Sequence, residues 1–241
     1  MNPRPTDYKS VALPTELYRR LKQNTLIIAW DMKKSSTFLS FFTKKKTRIF
    51  TSSLRLFDVK TCGILEEKER IFMPKKLDYE FFHRPCLAVA QDLVGKILVH
   101  RLPDGTVLRL RISETEAYCG EEDTACHAHK GRTKRTEVMY MDAGTVYIYL
   151  CYGMHWLLNL VTGEEDEPQA VLIRACVDAN GPGKLTKALS ITGELNRGSI
   201  FGDELWVEDD SFACEVTTDK RVGIGYASKE DQDRLWRYKM K

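Results

Sequence analysis

The 241 residues are 43% hydrophobic and 29% charged, enough apolar mass for a buried core, yet the longest apolar runs, Leu26 to Trp30 and Val146 to Tyr152, fall far short of the roughly 20 residues of a membrane helix. No stretch has a secretory layout, and seven scattered cysteines without a Cys-x-x-Cys pair read as reduced thiols, so a soluble, cytoplasmic protein with no membrane partner is expected. The formal charge of +3 hides an asymmetry, because residues 1–72 carry 15 Lys and Arg against 7 Asp and Glu while residues 73–241 carry 22 against 27; only a local basic patch would argue that the second segment binds nucleic acid.

Residues 1–72 show no sustained periodicity and include the run Lys44-Lys45-Lys46, which reads as a poorly ordered extension outside the folded unit, with Met73 as an alternative translation start. From Pro85 the pattern sharpens. Pro85 at a helix start, apolar Leu87, Val89, Ala90, Leu93 and Val94, and Gly95 as a stop describe one short amphipathic helix. Lys96 to Leu102 and Thr106 to Tyr118 read as two strands joined by the turn Pro103-Asp104-Gly105. After a polar loop from Gly120 to Thr136, strands are expected over Thr145 to Tyr152, His155 to Val161 and Ala170 to Cys176. Gly181 to Ile191 suggests a turn and a helix, and short strands follow near Leu205 to Val207 and Arg221 to Ile224. The sum is an α+β fold: a single domain over residues 73–241 on a curved, mostly antiparallel sheet with flanking helices.

Four constellations stand out. Glu114 and Glu116 share one face of the long second strand, which suits one carboxylate as a general base and the other as an anchor, although a solvated strand edge would look the same. Cys126-His127-Ala128-His129 resembles half of a zinc site but has no partner cluster, so no metal is expected. Lys130, Arg132, Lys134 and Arg135 crowd a Gly/Thr loop and suit successive phosphates. Tyr147, Tyr149, Tyr152 and Trp156 flank the Tyr152-Gly153-Met154 turn; aromatics in strands are usually core, whereas one at an exposed tip suits wedging between base pairs.

Taken together, residues from about Leu77 to Tyr238 resemble the alkyladenine (3-methyladenine) DNA glycosylase family, and most of all its bacterial branch. The resemblance rests on Ser113-Glu114-Thr115-Glu116-Ala117-Tyr118, the acidic loop to His127, Gly131-Arg132-Thr133-Lys134-Arg135-Thr136, Ala143-Gly144-Thr145-Val146-Tyr147, Tyr152-Gly153-Met154, Asn159, Ala170 to Ala175, Gly181-Pro182-Gly183-Lys184-Leu185 and Arg221-Val222-Gly223-Ile224-Gly225. It implies a monomeric base-excision repair enzyme, without cofactor, acting on duplex DNA that contains alkylated or deaminated purines. Glu116 would activate the attacking water, helped by Arg174 and the Val222 carbonyl. Tyr118, His127, Tyr149 and Asn159 would line the pocket for the flipped base, and Tyr152 with Met154 would enter the DNA stack. Lys130, Arg132, Lys134 and Arg135 would contact the DNA backbone. No lysine falls on a catalytic position, so no lyase step is expected. Two departures matter: the connection from Arg174 to Gly181 is short, and the chain ends at Lys241 before the family's usual closing strand, so an exposed sheet edge is expected. The competing reading is a nucleic-acid binder of the same fold that has lost turnover.

Overall fold

The computed structural model describes residues 74–241, so the extension expected over residues 1–72, and Met73 as its boundary, lie outside the described residues. Within them the α+β expectation holds: short helices flank a nine-stranded sheet in which every pairing is antiparallel. Strand β3 (Val107–Cys119) is its spine. The first half of β3 pairs with β2 (Ile97–Arg101) across a turn closed by the Gly105 amide, which donates to the Leu102 carbonyl at 2.9 Å. Its second half pairs on one edge with β6 (Gln169–Cys176) and on the other with β9 (Arg237–Met240). From β6 the sheet continues into β5 (His155–Thr162) and β4 (Val146–Cys151). From β2 it continues into β7 (Leu205–Asp209) and the two-residue β1 (Lys75–Lys76), while β8 (Val216–Asp219) flanks β9.

Alternation along these strands gives the sheet two unlike faces. One face is apolar and covered. Ala117 on β3, Ile173 on β6, Leu158 and Leu160 on β5 and Ile148 on β4 join one core with the inward side chains of α2 (Cys86–Leu93) and α3 (Pro182–Ala188). Thr115 shares this face, and its hydroxyl donates to the Ala90 carbonyl of α2 at 2.6 Å, so the buried polar group is satisfied. Pro85 caps α2 without needing its missing N–H, and Gly95 at φ +91° turns the chain into β2. The one-turn α1 (Tyr79–Phe82) precedes α2, and α4 (Lys229–Asp233) is capped by the Ser228 side chain, which accepts from the Asp231 amide.

One expectation changes. No strand forms over Arg221 to Ile224; the ladder there is β8, and residues 221–228 are a loop whose Gly223 sits at φ +79° and whose Val222 amide is used elsewhere. On that side Arg237–Met240 pairs with both β3 and β8, and β8, paired with β9 alone, is the edge of the sheet. The short connection after Arg174 becomes a tight turn, the Ala179 amide donating to the Cys176 carbonyl at 3.0 Å, and leads directly into α3.

Candidate active site

The opposite face of the same strands carries Glu114, Glu116 and Tyr118 on β3, Leu172 and Arg174 on β6, Leu157 and Asn159 on β5, and Tyr147 and Tyr149 on β4. It is only partly covered. Between Gly120 and Asp142 the chain forms three 3-10 turns, and Ala128, Val138, Met139 and Tyr140 pack against Tyr147, Val161 and Ala170 at one end of this face. The rest is an open groove of about 670 Å³, lined among others by Glu116, Tyr118, Arg174, Tyr152, His155 and Val222. A narrow recess leads off it between Tyr118, His127, Tyr147, Tyr149, Asn159 and Tyr226.

Glu116 is the side chain on which this arrangement converges. It is 0% exposed, which is costly for a carboxylate without partners. Its Oε1 accepts the Val222 amide at 2.8 Å and lies 3.5 Å from Arg174 Nε, and its Oε2 accepts the Tyr118 hydroxyl at 3.0 Å. Burial raises its pKa above the ordinary carboxylate range, while Arg174, the Val222 amide and the Tyr118 hydroxyl oppose the shift. Burial also raises the Tyr118 hydroxyl well above its usual value, so at neutral pH it remains a donor. Val222 thus touches the carboxylate through its amide.

Arg174 is aimed by a β-bulge. Pairing runs Thr115 to Ile173 and Glu114 to Ala175, leaving Arg174 as the extra residue on β6. Its Nε donates to Glu114 Oε1 at 3.1 Å, and Arg237 Nη1 holds the same oxygen at 2.8 Å. Glu114 is therefore an anchor, doubly held by arginines.

The loop after β8 is fixed by a group the sequence reading did not single out. Arg221 is buried, with Nη1 2.5 Å and Nη2 2.8 Å from the Asp123 carboxylate and Nη1 also donating to the Ala117 carbonyl at 2.9 Å. Its guanidinium stands 4.9 Å from the ring centroids of both Tyr118 and Trp236. The signal was the acidic loop itself: an aspartate that folds back on its own strand needs a cation, and Arg221 was read as part of a strand.

His127 Nδ1 is 2.9 Å from the Tyr147 hydroxyl, and its ring meets Tyr149 edge-on at 4.6 Å between centroids. Burial, reinforced by the charge of Arg135, lowers its pKa to about 4, so the imidazole is neutral at pH 7. His129 turns elsewhere, with Nδ1 2.7 Å from the Glu121 carbonyl. The two histidines do not converge, and among the described residues no group of three His, Cys, Asp or Glu side chains is placed to hold a metal. Asn159 is buried at the recess, its Nδ2 donating to the Tyr147 carbonyl at 3.2 Å.

Tyr152 is at the tip of the β4–β5 hairpin, 90% exposed, and held at φ +51° with Gly153 at φ +70°. A bulky residue in the left-handed region is strained by about 1–3 kcal/mol, and the exposed ring gains no packing in return. Met154, 69% exposed, donates its amide to the Cys151 carbonyl at 3.1 Å and stands on the same tip. Next to the tip the hairpin approaches α3: a Cβ on Gly183 would lie 2.9 Å from the His155 ring, so glycine there lets His155 keep its place. The basic loop divides. Arg132 pairs with Asp166 and stacks 4.3 Å over the Tyr140 ring, whereas Arg135 lies 5.3 Å over Tyr149 at the groove. Lys130 and Lys134 are exposed and make no ion pair among the described residues.

The model of the methylpurine-DNA glycosylase family matches residues 80–179 and 177–241, in two pieces that meet at the turn after β6. That span is more than half of the chain and includes both the carboxylate and its amide donor. The chain belongs to the methylpurine-DNA glycosylase family. It is 43% identical over 188 residues, 68% of this chain and 94% of the relative, to a protein of Natranaerobius thermophilus. A relative in Methanocella arvoryzae is 45% identical over 183 residues (67% and 90%), and one in Psychrobacter cryohalolentis 45% over 188 (66% and 88%). All three carry the name "Putative 3-methyladenine DNA glycosylase". Against this family background, Glu116, Tyr118, Arg174, Val222, His127, Tyr149 and Asn159 surround one groove and recess, and Tyr152 overlooks it.

Proposed function

We propose that this chain is a monofunctional DNA glycosylase that flips alkylated or deaminated purines, among them 3-methyladenine, 7-methylguanine, hypoxanthine and ethenoadenine, out of duplex DNA and hydrolyses the N-glycosidic bond. The observation that carries the reading is a fully buried carboxylate, Glu116, held by an amide, a phenol and an arginine in a groove whose walls include Tyr118, His127, Tyr149 and Tyr226. Glu116 takes a proton from water as that water attacks the anomeric carbon; the bond to the base breaks, and the base leaves with the bonding electron pair. An N-alkylated cationic purine leaves neutral, so no protonated acid is needed on the protein, and the neutral His127 avoids repelling it. Fixed negative charge at Glu116 also favours the oxocarbenium-like transition state. The Val222 carbonyl is a second acceptor for the water, and Arg174 sets the carboxylate's orientation.

Tyr118, Tyr149 and His127 form aromatic walls on which an electron-poor purine is favoured, and Asn159 crowds the exocyclic amine of guanine. Tyr152, assisted by Met154, fills the gap in the stack, which explains why an exposed tyrosine is kept in a strained conformation. Lys130, Lys134 and Arg135 reach phosphates, with Arg132 committed to Asp166 until DNA competes for it.

The test is incubation with duplex oligonucleotides that each carry one lesion. Alkali-labile sites at lesions, in the presence of a chelator and with no cleavage before alkali, are expected. Lesion binding without base release would support the non-catalytic reading instead.

A further inference from the structure

Tyr226 takes no part in the assignments above, yet it lines both the recess and the groove, together with Tyr118 and Tyr149 from the sheet and His127 from a 3-10 turn. It is 68% exposed. An exposed tyrosine on a loop flanked by Gly223 and Gly225 would ordinarily swing freely, but its hydroxyl donates to the Ala125 carbonyl at 2.8 Å. Both ends of the loop are pinned to the same stretch of chain, since Arg221 holds Asp123 at the other end and Ile224 and Ala227 pack on Ala125 between them. The ring is therefore held beside a pocket it does not need to cover for folding.

We propose that Tyr226 is a specificity-determining wall of the base pocket, which adds a second-side aromatic contact for a positively charged purine. The inference rests on the glycosylase reading above. The chemistry is that of an aromatic face beside a delocalised cation: with Tyr118 and Tyr149 supplied by the sheet, Tyr226 completes the set from the loop that also carries the Val222 amide to Glu116. Base recognition and alignment of the carboxylate thus share one pinned segment. A neutral base such as hypoxanthine gains stacking from the ring but no charge term, so loss of Tyr226 discriminates between the two kinds of lesion.

The experiment compares wild-type, Tyr226→Ala and Tyr226→Phe chains in single-turnover release of N-methylpurines from methylated duplex DNA and of hypoxanthine from an otherwise identical duplex, with Tm measured for each. Tyr226→Ala is expected to slow N-methylpurine release by roughly two- to fivefold, the factor a cation–π contact supplies at an exposed site, and hypoxanthine release clearly less. Tyr226→Phe, which keeps the ring and loses only the tether, is expected to recover most of the difference. Equal loss on both substrates would make Tyr226 a strut for its loop and overturn the proposal, as would rates unchanged from wild type. Failure of the wild-type chain to release any purine would overturn the glycosylase reading instead, so the two failures are distinguishable.

Discussion

The two faces of the central sheet are built by alternate residues of the same strands, and they differ in everything but backbone. On β3, Thr115 and Ala117 look toward the helices while Glu114, Glu116 and Tyr118 look the other way; on β6, Ile173 alternates with Leu172 and Arg174. The helix face is dry; on it the Thr115 hydroxyl is satisfied by the Ala90 carbonyl, while the buried Thr162 hydroxyl has no partner among the described residues. The other face buries a carboxylate whose protonated form burial favours, and lines a groove. Stability and chemistry are thus separated by about the thickness of a strand, and rigid strands hold the reactive groups more closely than loops would.

The largest expected effect crosses that division. Arg221 and Asp123 are on the chemical side yet form a buried pair, so Arg221→Met should cost about 3–5 kcal/mol in denaturant unfolding by leaving Asp123 uncompensated. A cost under about 1 kcal/mol would mean that the pair positions the loop without supporting the fold. On the helix face, Leu160 is 0% exposed, and Leu160→Ala should cost about 2–5 kcal/mol while base release per folded molecule is unchanged. A rate loss in fully folded protein would show that the faces are coupled.

Smaller effects sharpen the chemical side alone. On the proposed mechanism Glu116 works deprotonated, so activity should fall as pH drops through its pKa, and because that pKa is raised the acid limb of the rate profile should lie above the ordinary carboxylate range. Arg174 opposes the rise, so Arg174→Gln should move the limb to still higher pH; a limb that stays in place or moves down would remove Arg174 from contact with the base. Tyr152→Gly should leave stability unchanged or raise it by up to about 1 kcal/mol, since left-handed strain is relieved at an exposed site. Its excision defect should be larger on duplex than on single-stranded substrate, and an equal defect on both would make Tyr152 an ordinary hairpin residue.

Much of the helix face was legible in the sequence, because period-two alternation in β3, β5 and β6 and the Pro85-to-Gly95 helix are local signals. The carboxylate pair and the aromatic strand were legible for the same reason. What escaped depends on contacts distant in sequence. Arg221 looks like the start of a strand until Asp123 is beside it, and the Val222 amide leaves no ladder once it is bonded to Glu116. The bulge that frees Arg174 belongs to a register between two strands and is invisible in either alone. Arg132 reads as one of four equivalent cations until Asp166 singles it out.

The central claim is that Glu116 activates water while Glu114 anchors Arg174. Single-turnover release of N-methylpurines should be measured for Glu116→Gln and Glu114→Gln beside lesion-duplex affinity. The account predicts that Glu116→Gln slows release by at least roughly 10²- to 10⁴-fold with affinity retained, and that Glu114→Gln retains substantial turnover. Near-parental release by Glu116→Gln, or a collapse confined to Glu114→Gln, would contradict it.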